Sequence, residues 1–355
     1  MADNATTSLR LLEPDELRLA VALTERVLSA LDSVLLGQES LHRLVLTGVL
    51  SRGHILLEGM PGVGKTMLIK ALGCLMSLRF NRVQFTPDLM PSDILGATIL
   101  QQGEDGQRRM EFEPGPIFTN ILLADEINRA SPKTQAAMLE AMQERRVTVG
   151  GQTRNLSEPF FVLASQNPID LEGTYPLPEA QVDRFLFKLE VEQPGVEVLE
   201  TILDTRRRGE VSVPEACVSA AELQQLFGVM ERIVLPTPVA RYIARLVAGS
   251  HPSSADASVV PPEIVSKYVT HGASPRAAIA MGEAARAVAL LAGRPTVGFE
   301  DVETVAPHVL NHRLILSYQA RFDNVSAKDV VAGLIESIDA VELGLPRGVE
   351  VEAGA

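Results

Sequence analysis

The stretch Gly59-Met60-Pro61-Gly62-Val63-Gly64-Lys65-Thr66 constrains this chain more than any other, because it matches glycine, four residues, then glycine-lysine-threonine without a gap. The apolar run Ile55-Leu56-Leu57-Glu58 before it reads as a short buried strand, and Met67 to Leu72 after it as the first turns of a helix. Glycines at 59, 62 and 64 let successive amide N–H groups turn inward around the oxygens of a polyphosphate. The helix N-terminus adds partial positive charge there. In such a loop Lys65 reaches the β- and γ-phosphates, and the Thr66 hydroxyl is a ligand for a magnesium ion.

A chain of 355 residues with 46% hydrophobic and 22% charged side chains has material for two packed domains. No run approaches the roughly 18 apolar residues of a membrane span, so stable membrane insertion is not expected. Met1 to Ser8 has no basic flank leading into an apolar core, and the expected compartment is the cytoplasm. The net charge of -13 argues against a nucleic-acid-binding surface, and Arg206-Arg207-Arg208 reads as a solvated segment at a domain boundary. Cys74 and Cys217 have neither metal-ligand nor redox spacing and read as reduced packing residues.

Along the chain, helical spacing from Glu13 to Leu36 predicts an N-terminal helix starting at Pro14. Gly37-Gln38 breaks it before a second helix over Ser40 to Leu50. Such a break carries contacts to adenine in many nucleotide-binding folds, and by spacing alone is a turn between helices. A strand is expected over Phe80 to Phe85 and a short hairpin within Ala97 to Ile117. The apolar run Ile121 to Ala124 ends in Asp125-Glu126, placing Asp125 to hold hydrated magnesium and Glu126 to orient or deprotonate water. A helix over Ser131 to Glu144 precedes a hairpin around Gly150-Gly151, and a strand over Phe160 to Ser165 runs into Gln166-Asn167. Asn167 either meets the γ-phosphate or the water, or caps a turn before Pro168. Leu186 to Val191 reads as the last sheet strand, and helical periodicity dominates from about Ala220. His308 and His312 stand four apart on a possible helix, but with no acid or third ligand at zinc spacing they read as packing or capping.

Together, the phosphate loop, Leu122 to Glu126, Ser165 to Pro168, Asp183-Arg184-Phe185 and Gly272-Ala273-Ser274-Pro275-Arg276 resemble the AAA+ ATPases. Within them, Gln84 to Asp93, Asp125 to Ala130, Glu179 to Phe185 and Val309 to Arg313 resemble the MoxR family. The resemblance implies an α/β fold: a core with a five-stranded parallel sheet flanked by helices, followed by an all-α lid. The expected division is residues 1–208 for the core with its N-terminal helix, 209–345 for the lid and 346–355 for a frayed tail. It further implies ATP with Mg2+ as cofactors and a homo-oligomer, a hexameric ring with ATP at each subunit junction. By the same resemblance Asn167 is a sensor at the γ-phosphate, Arg184 a finger toward the neighbour's ATP and Arg276 the lid arginine, with Arg129 a second candidate across the junction. Partners implied are an adaptor carrying a von Willebrand factor A domain and a protein client that is remodelled or matured. The ATPase subunit of a metal chelatase is the competing reading, and a nucleic-acid motor is disfavoured by the acidic charge.

Overall fold

A computed structural model describes residues 12–60, 62–102, 107–167, 173–206, 215–253 and 259–340. Pro61 of the phosphate loop, Pro168, Arg207, Arg208 and the 346–355 tail lie outside the described residues.

The five expected strands form one parallel sheet in the order Phe80–Gln84, Ile121–Asp125, Phe161–Gln166, Ile55–Glu58, Phe187–Glu190. Apolar residues fill the middle three on both faces, with Ile55, Leu56, Leu57 and the whole Ile121–Ala124 run at 0–1% exposure. Such continuous apolar runs suit a parallel sheet covered on both sides. Their carboxyl ends converge on one edge, where Gly59, Glu126 and Asn167 follow directly. Open α/β sheets bind ligands at that edge.

One apolar core covers one face of the sheet and runs without a break into the C-terminal helices. The N-terminal helix Pro14–Val34 lies in it, its Leu23, Val27 and Leu31 fully covered, packed on the phosphate-loop helix Lys65–Leu75 and on the helices Ala220–Met230 and Pro275–Leu291. A smaller core on the other face gathers Val83, Ile94, Leu122, Met138 and Phe160 beneath the helix Pro132–Glu144.

Both predicted hairpins are present. Gly96–Gln102 pairs antiparallel with Arg108–Pro114, and Arg146–Val149 with Gln152–Asn155. The second closes through Gly150 and Gly151 at φ 61° and 75°, the two left-handed positions that a tight two-residue turn requires. Arg154 lays its guanidinium 3.8 Å over the ring of Phe112, joining the two hairpins.

The lid departs from the all-α expectation in one respect. Besides its helices, Val269–His271 pairs antiparallel with Ile315–Leu316, because β-branched Val269, Thr270 and Ile315 favour extended backbone where two short segments meet. The helix Phe299–Leu310 contains His308 but stops before His312, so the two histidines do not share a helix face.

Candidate active site

The phosphate loop is built as its spacing predicts. Gly62 and Gly64 take φ of 84° and 90°, which only glycine adopts without cost. A side chain at Gly59 would stand 2.7 Å from the Val191 carbonyl at the end of the edge strand, so this glycine is needed for close approach. Lys65 donates from Nζ to the Gly59 carbonyl at 2.7 Å, holding its ammonium across the loop. Burial pulls the Lys65 ammonium below its ordinary value, while Asp125, Glu126 and Glu58 oppose that shift. Val63 packs against the main core and Met60 follows Gly59 at the mouth of the loop.

Gly62, Gly64, Lys65, Thr66, Asp125, Glu126 and Asn167 converge on one cleft of about 560 Å³. Asp125 ends its strand nearly buried and has both carboxylate oxygens engaged. Oδ1 accepts from the Ser165 hydroxyl at 2.5 Å, and Oδ2 accepts from Arg82 Nη2 at 2.7 Å and Nε at 3.1 Å. Glu126 has left-handed backbone, φ 56°, a strained state for a glutamate that turns its side chain out of the strand line into the cleft. Its amide donates to Ser165 Oγ at 2.9 Å, and its Oε2 accepts from Gln84 and Arg129, each at 2.9 Å. Asn167, nearly buried, offers its carbonyl to Asn128 Nδ2 at 3.4 Å.

Sequence reasoning gave Arg82, Gln84 and Ser165 no role at the site, although Gln84 and Ser165 stand in the motifs that carry the resemblance, and all three contacts follow from register. Ala124 pairs with Ala164, which sets Ser165 beside Asp125, and Gln84 pairs with Asp125 itself. Arg82 and Gln84, two apart on a strand, project from one face. The alternation of that strand was visible; its neighbour was not.

Arg184 and Arg276 are not in this cleft. Both line a second one of about 280 Å³, together with Arg52, Arg145, Asp183 and Arg313. Arg184 donates from Nη1 to the Leu139 carbonyl at 3.1 Å. Asp183 is where core and lid meet, accepting from Arg313 Nε at 2.9 Å, Ser274 Oγ at 3.0 Å and Arg276 Nη1 at 3.3 Å.

Gly37 and Gln38 line a third cavity of about 190 Å³ with Lys188, Glu190, His308 and Asn311. Gly37 has φ 74°, and Gln38 Nε2 donates to the Glu192 carbonyl at 3.3 Å. Leu35, just before them, reaches within 3.1 Å of where a Gly64 side chain would begin, so this turn sits beside the phosphate loop.

The histidine pair behaves as packing. His312 Nε2 lies 3.1 Å from the Phe185 carbonyl and Nδ1 2.9 Å from Asn311 Oδ1, and burial holds its imidazole well below the ordinary value. No group of three or more histidine, cysteine or acidic side chains that could hold a metal occurs among the described residues. Nor is any described helix long and apolar enough to cross a membrane. Cys74 and Cys217 are free and half-buried.

A parallel sheet with a phosphate loop, an acid pair on the adjoining strand and a helical lid behind it defines an AAA+ ATPase. Residues 54–187 match the model of the ATPase family associated with various cellular activities, and residues 262–334 match the AAA lid domain. The chain is 42% identical to chaperone MoxR1 of Mycobacterium tuberculosis over 88% of its own length and 81% of the relative's, and 31% identical to protein MoxR of Methylorubrum extorquens over 86% and 91%. A crystal structure of a protein from Cytophaga hutchinsonii superposes with a TM-score of 0.82 at 37% identity, covering 92% of this chain and 97% of that one. This chain therefore belongs to the MoxR family of AAA+ ATPases.

Proposed function

We propose that the chain binds ATP with magnesium in the Lys65 cleft and hydrolyses it only where a second copy supplies Arg184. The observation that carries this reading is the division of the chemistry between two clefts. Lys65, Thr66, Asp125, Glu126 and Asn167 share one, while Arg184 lines the other. A finger that cannot serve its own cleft has work to do only across a contact between copies. Contact of one surface with a different one closes into a ring when the rotation allows, here taken as a hexamer.

The donors present fit the groups proposed. Thr66 and Asp125 are hard oxygen ligands of the kind magnesium takes, and the positive-φ glycines shape a cradle for phosphate oxygens. Magnesium when bound neutralises phosphate charge and polarises the transferred phosphoryl group. Lys65 binds the β- and γ-phosphates. Glu126, aimed by its own backbone and held by Gln84 and Arg129, accepts the proton of the attacking water. Asn167 orients that water or the γ-phosphate, and Arg276, bound to Asp183, positions the lid.

The name chaperone carried by the M. tuberculosis relative supports action on a protein client; the cytoplasm as compartment and a von Willebrand factor A domain protein as adaptor belong to this reading through the family resemblance alone. The test is a mixture of two inactive variants. Lys65→Ala keeps Arg184, and Arg184→Ala keeps the phosphate loop, so mixed rings regain part of the ATPase rate at mixed junctions. No recovery in rings shown by native mass spectrometry to be mixed counts against the reading.

A further inference from the structure

Five arginines surround the second cleft, and three of them have a carboxylate partner. Arg276 and Arg313 share Asp183 at 3.3 and 2.9 Å, and Arg52 reaches Glu231 at 3.1 Å. Glu283, the other acid on the wall, pairs with Arg286. Arg145 and Arg184 have no carboxylate partner among the described residues. Arg184 Nε is buried without an acceptor. Arg145 is exposed at the rim.

The backbone of Arg145 adds a second observation. It caps the helix Pro132–Glu144 at φ 53° and ψ 25°, the left-handed position that glycine ordinarily fills at a helix end. Its carbonyl accepts the Leu156 amide at 2.9 Å, so helix and hairpin together fix this corner. Glycine would serve both the cap and that hydrogen bond. What arginine adds is a side chain, and here that side chain carries a positive charge to the cleft of Arg184.

We infer that Arg145 is a second arginine acting with Arg184 on the terminal phosphates of a nucleotide held by the adjacent copy. This rests on the ring reading above. Two guanidiniums that line one cleft, neither with a carboxylate partner among the described residues, suit a multiply charged anion, and phosphate oxygens match their planar donors. Arg184 has its backbone-anchored Nη1 and its buried Nε, and Arg145 is exposed and lines the same cleft.

The decisive variant is Arg145→Gly, because a structural role and a catalytic one predict opposite outcomes. Glycine relieves the left-handed strain, so the melting temperature stays level or rises. ATP affinity and ATP-dependent ring assembly remain as in the wild type, while turnover falls at least tenfold and Arg145→Lys retains part of it. Mixing Arg145→Gly with Lys65→Ala restores part of the rate. Wild-type turnover of Arg145→Gly overturns the assignment, as does loss of assembly with normal turnover per junction, which would make Arg145 a structural contact between copies. If Arg184→Ala and Lys65→Ala complement but the Arg145→Gly mixture does not, Arg145 alone is misassigned. If neither mixture recovers, the ring reading fails and this role falls with it.

Discussion

Arg313 Nε lies 2.9 Å from Asp183 Oδ1, and the two residues come from opposite sides of the seam between the nucleotide core and the lid. The same guanidinium donates to the carbonyls of Asp183, Phe185, Leu186 and Val309, closing one wall of the arginine cleft. Burial pulls Arg313 down to about 10, with Asp183 opposing the shift. Asp183→Asn leaves a buried guanidinium without its counter-charge, and loss of one partner of such a pair costs about 3 to 5 kcal/mol. Urea unfolding should show that loss. A change below 1 kcal/mol would mean the backbone carbonyls alone hold Arg313.

Lys65→Ala removes the ammonium that spans the phosphate loop while leaving the glycine geometry intact. Nucleotide affinity should fall by at least tenfold in a fluorescent-nucleotide titration, with the far-ultraviolet circular dichroism unchanged. Unaltered affinity would remove Lys65 from phosphate binding.

Glu126→Gln keeps the left-handed backbone and the amide bond to Ser165 but cannot take up a proton. General-base loss of this kind costs about 10² to 10⁴ in rate. ATP should bind normally, and native mass spectrometry should show assembled rings accumulating with ATP. Wild-type turnover would place the base elsewhere.

Acid should destabilise this fold through its buried histidines. His54 accepts the Val162 amide at Nδ1, 3.0 Å, and stands 3.2 Å from the Met142 carbonyl at Nε2, so it is held neutral. Burial first, then the Arg145 charge, lower it from 6.5 to about 4. The unfolded chain therefore binds the proton more readily than the folded one. The stabilisation is complete above pH 6.5 and is lost as pH falls toward 4, up to about 3 kcal/mol. His312 shifts the same way and adds to the slope. Unfolding free energies at pH 7.5 and 5 in wild type and His54→Gln separate the two contributions. An identical pH slope in both would exclude His54.

Much of the architecture was legible in the sequence because its signals are local. Apolar runs or, at Phe80 to Phe85, alternation marked the five strands, Gly150-Gly151 marked a hairpin, and the phosphate loop has a fixed spacing of its own. Asp125 and Glu126 stood out by ending an apolar run. What holds those acids was hidden, because Arg82 and Ser165 meet Asp125 from 43 and 40 residues away through strand register. Arg145 was hidden for another reason: an arginine in a glycine position leaves no trace in composition or periodicity, only in the backbone. The short strand pair of the lid, two and three residues long, is beneath the length at which alternation can be read.

The placement of the Pro14–Val34 helix bears on how the chain is made. The helix packs on Glu39–Leu50, on the phosphate-loop helix and on helices that begin at Ala220 and Pro275. On a ribosome this helix can pack early on Glu39–Leu50 and Lys65–Leu75, but the part of its apolar face that meets Ala220–Met230 and Pro275–Leu291 stays uncovered until those helices have been made. The α/β core thus cannot complete its burial as an N-terminal unit, and a nascent chain stalled before Pro275 should be bound by hydrophobic-segment chaperones and cut readily by protease within residues 14–34.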